Sequence, residues 1–355
     1  FINGIYSTEF SNIRSKELTV QLIGEAAGNE FSPIVSKHLG NSGRYSKDGI
    51  YALNSAFAHQ GVFIHVAAGK VVSNPVYIYH IIDARDANVL AQPRNLVYVG
   101  ERSEVEFAET HHTIGVSDSF TNEVFEVIVE KDANVSLYKI QNDNEQSNQV
   151  STTHFRQIGK SNIHAVTISL NGGMVRNNLN ITLEAEHAEA HLYGLYFLQG
   201  NSHVDNHTTV DHAKPNCMSN ELYKGIITDD ATAVFNGKIF VQPQAQKTNA
   251  YQSNKNILLS AGASVNTKPQ LEIFADDVKC SHGCTVGQMD EEGLFYLRSR
   301  GISEDTARSL LIHAFAMDVL EHIKPATLRS YVDRLIFERL EFEHHDAISS
   351  DTEKF

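Results

Sequence analysis

Read for the spacing of apolar and polar positions, the chain divides into stretches of different period. Residues 1–60 are mixed: a strand pair is predicted around Gly4 and over Leu18 to Ile23, then a loop. Within Asp48 to His59, Ile50, Leu53, Ala56 and Phe57 recur at helical spacing. From Gly61 the period becomes two. The β-rich runs VFIHVAAG, PVYIYHII, NLVYVG, EVEFAE, FEVIVE and SLYKIQ are separated by turns of Asp, Asn, Gly and Ser, and strands continue to about Val286. Residues 61–287 are therefore a predicted β core.

After Gly287 the helical period returns over residues 288–345. Asp290 caps a helix carrying Leu294, Phe295 and Leu297 that stops at Gly301, with Glu291 and Glu292 in the first turn where the helix dipole favours acids. Ser303 caps a second helix whose apolar residues Ala307, Leu310, Leu311, Ala314 and Met317 form one stripe. Pro325 ends it. A third helix is predicted from Ala326 to Glu343, burying Leu328, Val332, Leu335, Ile336 and Phe342, before a polar tail over 346–355.

Within the β core a short motif recurs: a polar or small turn, a small or polar pair, then an apolar residue that opens an alternating strand. Its six instances, RSEV, DANV, SNI, HAEA, DATA and GASV, place that apolar residue at Val105, Val135, Ile163, Ala190, Ala233 and Val265. Intervals near 30 residues are what stacked coils of a β-solenoid produce, because each coil buries its inward face on the next. A β-sandwich is the competing architecture, but the run of strands is long for one.

Composition narrows the function. The 355 residues carry a formal net charge of −14 with no basic run, which speaks against nucleic acid as a partner. Three cysteines, Cys217, Cys280 and Cys284, cannot build a disulfide framework and fit a reducing, cytoplasmic compartment. No apolar run reaches the ~20 residues that span a bilayer. The segment ending RQIGKS has His154 where a phosphate loop needs its first glycine, and there is no G-x-S-x-G, H-E-x-x-H or C-x-x-C. The start at Phe1 suggests a fragment.

Two polar constellations remain. In HVDNHTTVDH, the side chains of His203, Asp205 and His207 share one strand face, either as a divalent-metal set or as hydrogen bonding between coils. We assign no site there. In DDVKCSHGCTVG, Cys280, His282 and Cys284 also alternate, which places an imidazole between two thiols. Such donors suit zinc, copper or iron–sulfur species, but three from one strand cannot close a tetrahedral site, so the rest would come from elsewhere. Buried, inert thiols are the alternative.

From about Gly172 to Leu320 the chain resembles the SufB/SufD family of the Suf iron–sulfur cluster assembly system. The matching runs are GGMVRNNL, HVDNHTTVDH, YKGII, VFNGKIFV, AQKTNAYQSNKNILLS, PQLEIFADDVKCSHG and LFYLRSRGI, with a weaker match through GVFIHVAAG. DDVKCSHG is similar to the SufD branch, whereas SufB-like chains carry a Glu-rich counterpart. The resemblance implies a right-handed parallel β-helix with a C-terminal helical module, and a non-catalytic subunit working with SufB-like and SufC-like proteins, the last being the ATPase. It implies no firmly bound cofactor, with iron or a nascent cluster held transiently at Cys280 and His282, which match the family's Cys-x-His segment. Cys284 departs from the pattern, a small residue such as Ala being usual. SufC docking is implied for Phe295, Tyr296, Arg298, Arg300, Leu310 and Leu311, and a homodimer for the isolated chain. The alternatives are a SufB-like scaffold or a β-helix carbohydrate-active enzyme. The latter needs converging acids and bases along one solenoid face, and no such set is evident in the sequence.

Overall fold

The structure, a computed structural model, describes residues 1–41, 49–57 and 61–352, with side chains described within that range as far as Leu340. It is a parallel β-solenoid of about eight turns. One wall is an eight-stranded sheet of β3 (Val76–Ala84), β6 (Glu104–Gly115), β8 (Asn134–Asn142), β10 (Asn162–Asn171), β12 (Glu189–Leu198), β14 (Met218–Ile227), β16 (Asn249–Leu258) and β18 (Lys279–Gly287). The other is a ten-stranded sheet of β1 (Leu18–Leu22), β2 (Val62–Val66), β5 (Arg94–Val99), β7 (Ser119–Val129), β9 (Ser147–Gln157), β11 (Met174–Leu183), β13 (His203–His212), β15 (Thr232–Val241) and β17 (Ser264–Ile273), with β4 (Val89–Ala91) beside β7.

Strand pairing stacks equivalent residues into rows along the solenoid. Val105, Val135, Ile163, Ala190, Ser219, Ala250 and Cys280 form one inward row, at intervals of 27 to 31 residues. The sequence motif follows this row as far as Ala190. It then crosses to the other sheet, where Ala233 pairs with Val265, and this accounts for its one long interval.

The corners explain the motif chemically. Arg102, Asp132, His187, Asn216 and Lys247, each two residues before a strand of the eight-stranded sheet, adopt left-handed backbone with φ of 55 to 63°. The next residue, Ser103, Ala133, Ala188, Cys217 or Thr248, is at most 1% exposed. A small side chain is needed there because the corner packs inside the coil. Cys217 is one of these corner residues, its Sγ 3.2 Å from the Ala185 carbonyl, and burial pushes its thiol up to about 11.

Helices cover the outer faces. α1 (Ile23–Ala27) and α2 (Ser32–His38) lie over Phe63, Leu96 and Ile128. α3 (Gly49–Phe57) presents a polar face inward: Tyr51 and Asn54 are buried on Arg94, which also holds Glu126 at 2.9 Å. The expected apolar face is instead turned out, with Ile50 38% and Phe57 54% exposed. The reason is that the buried Arg94–Glu126 pair needs hydrogen-bonding partners more than a methyl surface. β1 pairs with β2, and the segment near Gly4 makes only isolated bridges. Asp48 and His59 lie outside the described residues.

At the other end, α4 (Glu291–Ser299), α5 (Glu304–Leu320) and α6 (Ala326–Thr352) follow β18. Asp290 accepts from the Gly293 amide and Ser303 from the Thr306 amide, as the sequence predicts. The face of α5 that packs on Val166, Ile168, Leu195 and Phe197 is Ile312, Ala316, Val319 and Leu320. The predicted stripe is thus displaced in part: Ala307 is buried and Leu311 and Met317 pack against this core, but Leu310 and Ala314 are exposed, because the β-sheet surface meets the helix on its flank. Leu328, Val332 and Ile336 of α6 are buried as expected, Leu340 joins them, and the helix runs on to Thr352. The side chain of Phe342 lies outside the described residues.

Candidate functional site

β17 and β18 are the last strands of their sheets, so among the described residues each leaves one edge without a strand partner. Between them the lumen of the final coil is uncovered. Cys280 pairs in register with Ala250, His282 with Gln252 and Cys284 with Asn254. All three therefore occupy inward rows, as alternation required, on the last strand of the eight-stranded sheet.

Their environments differ. Cys280 packs beside Ile239, Val241, Ala250 and Ala275, and burial raises its thiol above the ordinary value, which keeps it protonated in the free chain. His282 is exposed. Cys284 is exposed too, and its Sγ lies 3.2 Å from Thr267 Oγ1 on β17. The three donor atoms do not gather within 4.8 Å of one another. This is the consequence of spacing along one extended strand, about 6.6 Å per two residues, so a metal bound here needs further ligands from elsewhere. Beneath His282 in the same row lie Gln252 and Glu221. Glu221 is fully buried, accepts from Gln252 Nε2 at 2.8 Å, and is pushed up to about 7 by burial.

The other constellation resolves as hydrogen bonding between coils. His203, Asp205 and His207 share the outer face of β13; Arg176 of β11 donates to Asp205 at 2.7 Å and lies 3.2 Å from His207 Nδ1, while His207 Nε2 is 2.8 Å from Asp205. Burial opposes ionisation of Asp205, yet His207 and Arg176 hold it below the usual carboxylate range.

Among the residues expected to bind a partner, Phe295 and Tyr296 are 76% and 57% exposed on α4. Arg298 pairs with Glu304 at 3.0 Å, and Arg300 lies over the Tyr296 ring. Leu310 is 47% exposed, whereas Leu311 turns inward and packs against the core under α5.

Sequence reading missed one cluster entirely. It found no converging acids and bases, yet the lumen of the first coils holds His80, Glu109, His111, Glu123 and Lys139, each at most 4% exposed. Lys139 Nζ is 2.9 Å from Glu109 and 3.1 Å from Glu123. Burial works against charge on His80, but Glu123 and Glu109 raise it to about 9. The available signal was a lysine in the middle of the apolar strand SLYKIQ and acids at inward positions of EVEFAE and NEVFEV.

Comparison with known proteins gives one consistent result. The family described as "SUF system FeS cluster assembly, SufBD core domain" matches residues 80–315, and "SufBD protein N-terminal region" matches 1–78. A SufBD family iron–sulfur cluster assembly protein of Synechocystis is 33% identical over 93% of this chain and 74% of its own length. SufD of Escherichia coli is 33% identical over 81% of this chain and 69% of its own. A SufBD family protein of Mycobacterium leprae is 36% identical over 52% and 49%.

Proposed function

The chain belongs to the SufBD family of iron–sulfur cluster assembly proteins, and from that premise we propose that it is the SufD-type subunit of a SufB–SufC–SufD assembly. It pairs with a SufB-like chain through the open end of the solenoid and docks a SufC-like ATPase on α4 and α5. Iron or a nascent cluster is the cargo, held between the chains.

The observation that carries this reading is the uncovered last coil. Two strand edges, unpaired among the described residues, flank a thiol and an imidazole that face into the lumen of the last described coil. Unpaired edges are templates for another chain, and Cys and His donors suit iron and iron–sulfur species. The incompleteness of the donor set fits a site shared with a partner, since a closed site needs ligands from both sides. His282 is exposed and supplies an imidazole without moving. Cys280 supplies a thiolate once a metal or partner cation offsets its burial. Exposed Phe295, Tyr296 and Leu310 offer an apolar docking surface for the ATPase. ATP hydrolysis then belongs to that partner, and this chain contributes position and ligands rather than catalysis. The isolated chain, with the same open edges, pairs with a second copy. Among the described residues no helix is long and apolar enough to cross a membrane, and the reading places the assembly in the cytoplasm.

The test is co-purification with the SufB and SufC of the same organism, with iron and sulfide analysis under anaerobic conditions. His282→Ala should leave the three-component complex intact and lower its cluster content at least severalfold. Unchanged cluster content removes His282 from the account, and failure to form the complex removes the partnership.

A further inference from the structure

The buried cluster in the first coils has a donor set of its own, at the opposite end of the lumen from Cys280 and His282. His80 comes from β3, Glu109 and His111 from β6, and Glu123 from β7. One ligand atom of each lies within 4.8 Å of all the others. His80 Nε2 is 2.9 Å from Glu109 Oε1 and 3.4 Å from Glu123 Oε1, and His111 Nε2 is 3.6 Å from Glu123 Oε2. We propose that this cluster is a metal site, taking one divalent first-row transition ion on His80, Glu109, His111 and Glu123, with Lys139 as the resident cation that the ion displaces.

Four observations carry it. First, the ligands are two imidazole nitrogens and two carboxylates, a set matched to Fe2+, Co2+ or Zn2+; Ca2+ and Mg2+ take oxygen alone. Second, two carboxylates at 0% side-chain exposure must be neutralised. In the metal-free chain the Lys139 ammonium sits between them, so the point where they converge is already a cation position. A divalent ion neutralises both.

Third, displaced Lys139 has somewhere to go. A cavity of about 10 Å³, room for one water-sized body, is lined by Lys139, Ser151, Thr153, Thr167 and Asn177, and Ser151 Oγ already accepts from Lys139 Nζ. The ammonium can shift toward these hydroxyls and keep hydrogen-bond partners there. Fourth, both histidines aim Nε2 into the cluster: His80 Nε2 lies 2.9 Å from Glu109, and His111 Nε2 lies 2.8 Å from the Gln149 side-chain amide and 3.6 Å from Glu123. The rings of His80 and His111 stack at 4.6 Å, and Phe1 stacks on His80 at 5.0 Å, so a bound ion is sealed from water and exchanges slowly. The site stands independently of the cargo site at the open end.

The experiment is titration of the chelator-treated full chain with Co2+ under anaerobic conditions. It uses a Cys280→Ser, His282→Ala, Cys284→Ser background, so that no open-end donor contributes. The expected result is one Co2+ per chain by native mass spectrometry, visible absorption of a nitrogen–oxygen Co2+ site without a thiolate charge-transfer band, and a raised melting temperature. His111→Gln should weaken binding at least tenfold. Lys139→Met, which removes the competing ammonium, should tighten it at least tenfold, and the Co2+ stoichiometry of the background chain keeps the test decisive if either variant does not fold. Absence of stoichiometric Co2+ in the background chain overturns the site, as does equal affinity in the two variants; the cluster is then an ion network only.

Discussion

The two ends of the solenoid lumen carry related chemistry in opposite settings. Glu109, Lys139, Thr167, Gly194, Tyr223, Asn254 and Cys284 form one inward row. At its start the residues are sealed between coils, and Glu109 and Lys139 must meet as an ion pair because neither can reach water. At its end Cys284, at the same strand position, is exposed. Whether a next coil exists, rather than residue type, decides if an inward polar side chain is a structural obligation or an available ligand.

The largest expected effect tests the sealed coils as a whole. His154 and His212 are buried, and burial lowers both to about 4 from an ordinary value near 6.5. A base whose folded value is depressed binds fewer protons folded than unfolded, so stability is full above pH 6.5 and falls as pH drops toward 4. The loss is on the order of 3 kcal/mol for each histidine. Urea unfolding at pH 7 and 4.5 checks this, and His212→Gln should flatten the slope.

Next is the paired comparison along the row. In metal-free buffer Lys139→Met leaves Glu109 and Glu123 buried without their cation and should cost about 3–5 kcal/mol, while Cys284→Ala should change stability by less than about 0.5 kcal/mol. Equal effects would break the comparison.

A smaller effect tests packing within the sealed region. A Cβ on Gly194 would lie 2.2 Å from the Tyr223 ring, and one on Gly225 the same distance from Tyr196, so the coils interlock ring over glycine; at Gly283 nothing lies within 4 Å. Gly194→Ala should therefore cost about 1–3 kcal/mol by overpacking, against near zero for Gly283→Ala. Thiol labelling is the mildest probe: Cys284 should react first, Cys280 more slowly because burial raises its thiol, and Cys217 only on unfolding. Early labelling of Cys217 would mean that the corners open.

The period of two, the interval near 30 residues and the helix caps at Asp290 and Ser303 were legible because they are local: strand alternation, corner geometry and unpaired helix amides act over a few residues. The same locality put Cys280, His282 and Cys284 on one side of β18. The polar inner face of α3 was not legible, since Tyr51 and Asn54 answer to Arg94 and Glu126, distant in sequence. Nor was the displaced face of α5, which follows the sheet beneath it.

By itself, then, the sequence determined a β-solenoid with helices after it, the family, and which residues alternate on a strand. Only the tertiary structure decided which rows face the lumen, where Glu109, Glu123 and Lys139 meet, and that the Cys280–Cys284 strand ends the stack. Those outcomes depend on register between coils about 30 residues apart and on a neighbouring coil being there to exclude water, neither of which a local pattern encodes.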